Sequence, residues 1–183
     1  MGLGGGLSKV GGDLTGLKAS ARSALERLYR ELGRHEELVR TLVSKAEVGT
    51  DPGDRVALLM EAANLTRDLL EDVDASIELY RGVLEVDPSH MEAVNELIGL
   101  FGLENRFQDL DELYAAQADL AADPARRRGL LLAQATHRTN MIDDTTGAFQ
   151  ILQQLVQEDA HDERAIDAMV ALDAKVESSD PQD

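Results

Sequence analysis

The chain repeats itself with a period of 72 residues. Shifted by that amount, residues 51–94 align with residues 123–166 without a gap. A fixed internal period indicates an architecture of stacked units, because one unit cannot bury its apolar face alone. The aligned identities include Asp51 with Asp123, Pro52 with Pro124, Ala63 with Ala135, Asp72 with Asp144, Asp87 with Asp159 and Ala93 with Ala165.

Apolar residues recur every three or four positions, which is the spacing of one buried helix face. The Asp-Pro pairs at 51–52 and 123–124 predict helix starts, with aspartate as the cap and proline in the first turn. Gly33 predicts a helix end. The whole pattern predicts an all-α fold of about nine helices, in which short turns make successive helices antiparallel neighbours.

Composition divides the chain into three segments. Residues 1–18 contain seven glycines within the first sixteen positions, which predicts a flexible arm because glycine is entropically costly to order. Apolar residues still recur there at helical spacing, so ordering of the arm on contact with a partner is an alternative. Residues 19–176 form the predicted helical repeat domain, and residues 177–183 form a polar, acidic tail that we expect to be disordered.

The net charge of −17 argues against nucleic acid and anionic membranes as partners, since both are polyanions. The chain has no cysteine, which excludes disulfides, thiol catalysis and cysteine-ligated zinc and fits a reducing cytoplasm. No apolar run approaches the roughly 20 residues that span a bilayer, so membrane insertion is not expected. We therefore expect a cytoplasmic protein.

Catalytic chemistry has no signature in this sequence. The four histidines do not recur at the spacing of metal ligands, and the acidic pairs lack the full spacing of a calcium loop. We therefore expect no enzyme activity, no cofactor and no metal, and the sequence favours a binding function. The histidines are His35, His90, His137 and His161.

Each period holds two helical hairpins of about 34 to 38 residues. In the unit 57–90, Ser76 and Tyr80 stand at a small and an aromatic position of the second helix, and Pro88 closes the unit. This spacing resembles the tetratricopeptide repeat. The segment 24–38 resembles the degenerate repeats of large bacterial tetratricopeptide-like proteins. Comparable positions hold Leu97, Phe101, Leu110 and Tyr114 in the next unit and Ala135, Ala148 and Leu152 in the last.

The resemblance implies a right-handed α-solenoid of stacked antiparallel hairpins, in which the first helix of each pair lines a concave face. Members of this family often hold an extended peptide or a partner helix on that face. We therefore expect a protein-interaction scaffold or adaptor that takes part in complex assembly. The residues predicted to contact the partner are Glu26, Arg30, Leu58, Glu61, Leu65, Asp68, Glu92, Asn95, His137, Asn140 and Met141.

The acids on this predicted face bear on the partner. Some relatives grip a C-terminal carboxylate, but Glu61, Asp68 and Glu92 would repel one. An acidic groove with apolar patches instead favours a basic or amphipathic polypeptide. In the alternative interpretation, Leu58 and Leu65 pack against neighbouring helices and the acids form a solvated surface.

A second functional hypothesis is a structural protomer that self-associates through its repeat ends or its glycine-rich arm. The first and last predicted helices both keep apolar residues where a terminal helix should be polar. A homo-oligomer or a larger complex would follow. A small enzyme or metal protein is a third and weaker hypothesis. The apolar residues of the end helices are Leu25, Leu28, Leu32, Ile166, Met169, Val170 and Val176.

Overall fold

A computed structural model describes residues 6–179 of the chain, with side chains described for residues 16–178. The chain divides into two compact units, residues 1–93 and 94–183. Nine α-helices and no strand lie within the described residues, which confirms the predicted all-α helical-repeat fold. One of the helices, α5 (Met91–Leu103), spans the boundary between the units.

The first unit contains α1 (Gly6–Leu32), α2 (His35–Val48), α3 (Pro52–Asp68) and α4 (Val73–Val86). Each helix packs against the next along the chain. Gly33 ends α1 with a left-handed φ of 64°, as its position predicted. The core between α2 and α3 is built on Leu38, Leu42 and Ala62.

The second unit contains α6 (Phe107–Leu120), α7 (Pro124–His137), a π-helical turn (Arg138–Ile142), α8 (Thr145–Glu158) and α9 (Glu163–Ser179). Helix α7 packs against α6, α8 and α9. Side chains of α7, α8 and α9 meet in one hydrophobic cluster of this unit, which is built on Ala135, Ala148, Leu152 and Leu172.

The two periods begin and turn in the same way. Asp51 accepts a hydrogen bond from the Asp54 amide at 2.9 Å, and Asp123 accepts from the Arg126 amide at 3.3 Å, so each aspartate caps the helix that follows it. The turns between the paired helices contain a left-handed residue at equivalent positions, Glu71 with φ 54° and Asp143 with φ 59°. The period seen in the sequence is therefore also a period of the backbone.

Two helices cross the segment boundaries that the composition predicted. Helix α1 begins at Gly6 and so extends into the segment 1–18, for which we predicted a flexible arm. Helix α9 extends to Ser179, into the predicted tail. Residues 1–5 and 180–183 lie outside the described residues, and the flexibility of both terminal segments stays a prediction.

Candidate functional site

A groove of about 550 Å³ runs along one face of α7 in the second unit. The α7 side of this groove is a stripe at three- and four-residue spacing, which places all of its members on one helix face. Tyr114 of α6 and two residues of α9 complete it. The residues that line this α7–α9 groove are Tyr114, Gly129, Leu132, Ala133, Thr136, His137, Asn140, Met141, Arg164 and Ala168.

Three of the predicted partner-contacting residues meet in this groove. His137 is buried, whereas Asn140 and Met141 are exposed in the π-helical turn that continues α7. A ring nitrogen of His137 is hydrogen-bonded to the Phe107 carbonyl oxygen at 2.8 Å. The His137 ring also stands edge-on to Phe107 and Tyr114, with centroids 5.9 and 6.1 Å away. The histidine is thus part of the groove wall and is held by α6.

Tyr114 and Arg164 give the groove its other polar groups. Burial raises the pKa of the Tyr114 hydroxyl, so this group stays a neutral hydrogen-bond donor at physiological pH. The exposed Arg164 guanidinium forms no ion pair with any residue that the structure describes. An apolar groove with a few convergent polar groups has the usual chemistry of a recognition site.

The π-helical turn is fixed from outside by charged contacts. Arg138 donates two hydrogen bonds to the carboxylate of Asp111 on α6, at 2.8 and 2.7 Å. It also donates to Asp144, at 3.4 Å, and Asp144 caps α8 by accepting from the Gly147 amide. Lys175 of α9 donates to the Thr139 carbonyl oxygen. The segment that carries Asn140 and Met141 is therefore bound to three helices.

The charges in this cluster shift each other's pKa. Burial by itself raises the pKa of Asp111, but the hydrogen bonds from Arg138 and Gln134 outweigh it, so the pKa lies below the ordinary 3.8. The same contact with Asp111 raises the pKa of Arg138 above its ordinary value. The two groups are therefore an ion pair at neutral pH, as the bidentate geometry requires.

The predicted residues of the first unit have other surroundings. Leu58 and Leu65 pack against the core built on Leu38, Leu42 and Ala62, as the alternative interpretation supposed. Glu26 pairs with Lys45 and with Arg30, and Arg30 also pairs with Glu61 of α3. This contact with Glu61 is the main cause of the raised pKa of Arg30. These charged groups neutralise one another across α1, α2 and α3.

The remaining predicted residues are exposed. Asp68 is hydrogen-bonded by Arg67, its neighbour on α3, at 2.6 Å, and this contact lowers the pKa of the Asp68 carboxyl. Glu92 and Asn95 are exposed on α5. Within the described residues, no three acidic or histidine side chains are grouped so that they could hold a metal ion.

Seven groove residues were not predicted: Tyr114, Gly129, Leu132, Ala133, Thr136, Arg164 and Ala168. The three- and four-residue spacing of the α7 stripe from Gly129 to Asn140 can be read in the sequence, so Thr136 could have been predicted. Tyr114 and Arg164 stand on other helices, and only the packing of α6 and α9 against α7 brings them to the groove.

A comparison with known protein families agrees with this helical-repeat architecture. Residues 21–56 match the tetratricopeptide repeat family, and this stretch includes the segment 24–38 that resembles a degenerate repeat. This match supports the predicted resemblance to tetratricopeptide repeats, and the described residues form an all-α helical-repeat fold.

A solved structure titled "MamA RS-1 ArsTM double mutant" is similar, with a TM-score of 0.43 and 16% sequence identity. The similarity covers 90% of this chain and 98% of the other. No curated protein matches the sequence. No helix within residues 6–179 combines the length and hydrophobicity needed to cross a membrane.

Proposed function

We propose that the protein is a non-enzymatic protein-interaction scaffold and that the α7–α9 groove holds an amphipathic segment of its partner. The observation that carries this proposal is the convergence of His137, Asn140 and Met141 with Tyr114 and Arg164 around one groove of about 550 Å³. That volume accommodates one or two large apolar side chains of a bound polypeptide.

The polar groups of the groove suit a polypeptide backbone. The Asn140 amide can both donate and accept, and the Arg164 guanidinium only donates. Apolar side chains of the partner would enter between Leu132, Ala133 and Ala168, while carbonyl oxygens of its backbone would face these donors. Arg164 keeps the partner's cations out of the groove itself.

Basic residues of the partner would instead face the acidic surface outside the groove. The chain carries a net charge of −17. Such a field speeds the encounter with a basic segment and is screened by salt. The unit 1 acids Glu26, Glu61 and Asp68 contribute less to it, because cations of the same chain pair with them.

A substitution of Gly129 tests whether the α7–α9 groove is the binding site. A Cβ atom added there meets nothing within 4 Å, so a larger side chain would extend into the groove without disturbing the core. Because glycine within a helix costs roughly 1 kcal/mol relative to alanine, Gly129→Met should fold at least as well as the wild type. Gly102 of α5 is equally open and does not line the groove, so Gly102→Met is the matched control.

The measurement uses a displayed library of random peptides selected on the wild-type protein. Binding of the selected peptides, followed by fluorescence anisotropy, should weaken about tenfold or more with Gly129→Met and stay unchanged with Gly102→Met. Selected peptides should combine apolar with basic residues and bind less tightly as salt is raised. Equal binding to both variants would exclude the groove as the site.

A second candidate function, the structural protomer, is favoured by a different observation. Helices α1 and α9 both expose large apolar side chains.

A further inference from the structure

Helix α1 carries a stripe of apolar residues that no described part of the chain covers. Leu17, Leu28 and Leu32 are 70%, 46% and 61% exposed. At 100° of rotation per residue, these three leucines lie on one face of the helix together with Ala21 and Leu25. We call this face the leucine stripe. The side of α1 that carries Glu26, Tyr29 and Arg30 is already in contact with α2 and α3. The leucine stripe consists of Leu17, Ala21, Leu25, Leu28 and Leu32.

Helix α9 carries a second uncovered face, of different charge. Ile166 is 37% exposed and Val170 is 64% exposed. Acidic residues extend this face toward both ends of the helix, at the same three- and four-residue spacing. We call the set the acidic face of α9: Glu163, Ile166, Val170, Asp173 and Glu177.

The charges beside these two faces are opposite and uncompensated. Beside the leucine stripe, α1 carries three cations, Lys18, Arg22 and Arg27, and one acid, Glu31, and none of them forms an ion pair with any described residue. The acids of the α9 face are also unpaired among the residues that the structure describes. In a chain with a net charge of −17, a cationic apolar helix face is an exception. It complements an acidic apolar face, whereas two acidic faces would repel each other.

We propose that the leucine stripe of one molecule docks on the acidic face of α9 of a second molecule. Each helix buries its second apolar side in this way, as stacked repeats do within one chain. The contact is heterologous, because two different surfaces of the same chain meet. Such contacts build open filaments or closed rings, whose size depends on the rotation between neighbouring copies.

This self-association is independent of the α7–α9 groove. Ala168, which lines the groove, lies two residues from both Ile166 and Val170, and two residues correspond to about 200° around a helix. The groove and the acidic face of α9 are therefore on opposite sides of the same helix. One molecule can hold a partner segment and a second copy at the same time.

The test uses two single variants that each remove one side of the contact. Leu28→Glu places an acid on the leucine stripe, and Val170→Lys places a cation on the acidic face. Both positions are exposed, so circular dichroism and thermal unfolding should match the wild type. The matched control is Ser23→Glu, which adds the same acid to an exposed position on the opposite side of α1.

Sedimentation velocity is measured on the full chain over a wide range of concentrations. The wild type and Ser23→Glu should self-associate as the concentration rises, and each single variant should raise the apparent dissociation constant by about tenfold or more. A mixture of the two variants should form a 1:1 dimer and nothing larger, because one intact stripe and one intact acidic face remain. Added salt should weaken all of these contacts.

Three results would overturn the proposal. A wild type that stays monomeric at every concentration excludes the contact. Loss of assembly in Leu28→Glu, with no effect of Val170→Lys and no recovery on mixing, shows that two leucine stripes pair with each other instead. Loss of assembly in Gly129→Met shows that the groove is the docking surface. Peptide binding to the groove is measured separately, so its failure leaves this outcome unaffected.

Discussion

Helices α3 and α7 occupy the same place in the 72-residue period but present different surfaces. On α3, Glu61 receives Arg30 from α1, and Leu65 packs against the core of the first unit. The equivalent residues of α7, Ala133 and His137, line an open groove. The equivalent helix face is thus packed against other helices in the first unit and open in the second.

The ends of the two helices differ in a related way. Helix α3 stops at Asp68, and the turn to α4 follows. Helix α7 runs on as a π-helical turn, whose residue Arg138 takes the place of Thr66. The buried Thr66 hydroxyl bonds within its own helix, to the Ala62 carbonyl oxygen, whereas Arg138 reaches Asp111 on α6. A long cation therefore anchors a segment that a short hydroxyl could not, and that segment carries Asn140 and Met141.

The largest expected effect concerns the equivalent core positions Tyr80 and Leu152, both of which are fully buried. Tyr80→Ala should reduce the free energy of unfolding by about 3–5 kcal/mol and Leu152→Ala by about 2–5 kcal/mol. The Tyr80 hydroxyl donates to Asn64 Oδ1 at 2.6 Å, so Tyr80→Phe should still cost about 1–2 kcal/mol. Urea unfolding of each variant measures these values, and a Tyr80→Phe variant as stable as the wild type would contradict the role of this hydrogen bond.

Replacing Arg138 by the threonine of the first unit should have the next largest effect. Arg138→Thr leaves the Asp111 carboxylate without its partner and should cost about 2–3 kcal/mol. An Arg138→Thr variant whose free energy of unfolding at neutral pH equals that of the wild type would show that the contact of Arg138 with Asp111 does not distinguish the second unit from the first.

The same pair predicts a pH dependence. The folded pKa of Asp111 lies below 3.8, so the contribution of this carboxylate is complete above that pH and is lost as the pH falls through the lower folded value. Wild-type stability should therefore fall more steeply below pH 3.8 than that of Arg138→Thr. Thermal unfolding across this pH range measures the difference between the two slopes.

The smallest expected effect concerns Glu61. Glu61→Ala gives α3 the side chain that α7 has at Ala133 and removes the exposed pair with Arg30. Exposed ion pairs contribute roughly 0–1 kcal/mol, so the free energy of unfolding should change by no more than that. Raising the salt concentration should reduce the difference from the wild type further. A loss of several kcal/mol would mean that the pair holds α1 in place.

The helices and their turns could be predicted from the sequence because their signals are local. Asp51 and Asp123 cap helices through bonds to amides three residues away, and Gly33 takes a conformation that other residues rarely adopt. The partner-contacting residues could be predicted less well. Leu65 of α3 and His137 of α7 have equivalent positions in the same apolar spacing. Leu65 nevertheless packs in a core, whereas His137 lines a groove.

The sequence by itself determined the all-α class, the 72-residue period, the helix starts and the apolar side of each helix, since these depend on neighbours within a turn or two. Only the tertiary structure decided which of those sides are covered. Arg30 with Glu61, Arg138 with Asp111, and Tyr114 with His137 are contacts between helices distant in sequence. Whether a polar residue is neutralised, buried or free to bind depends on such contacts, because its charge and desolvation are set by what packs against it.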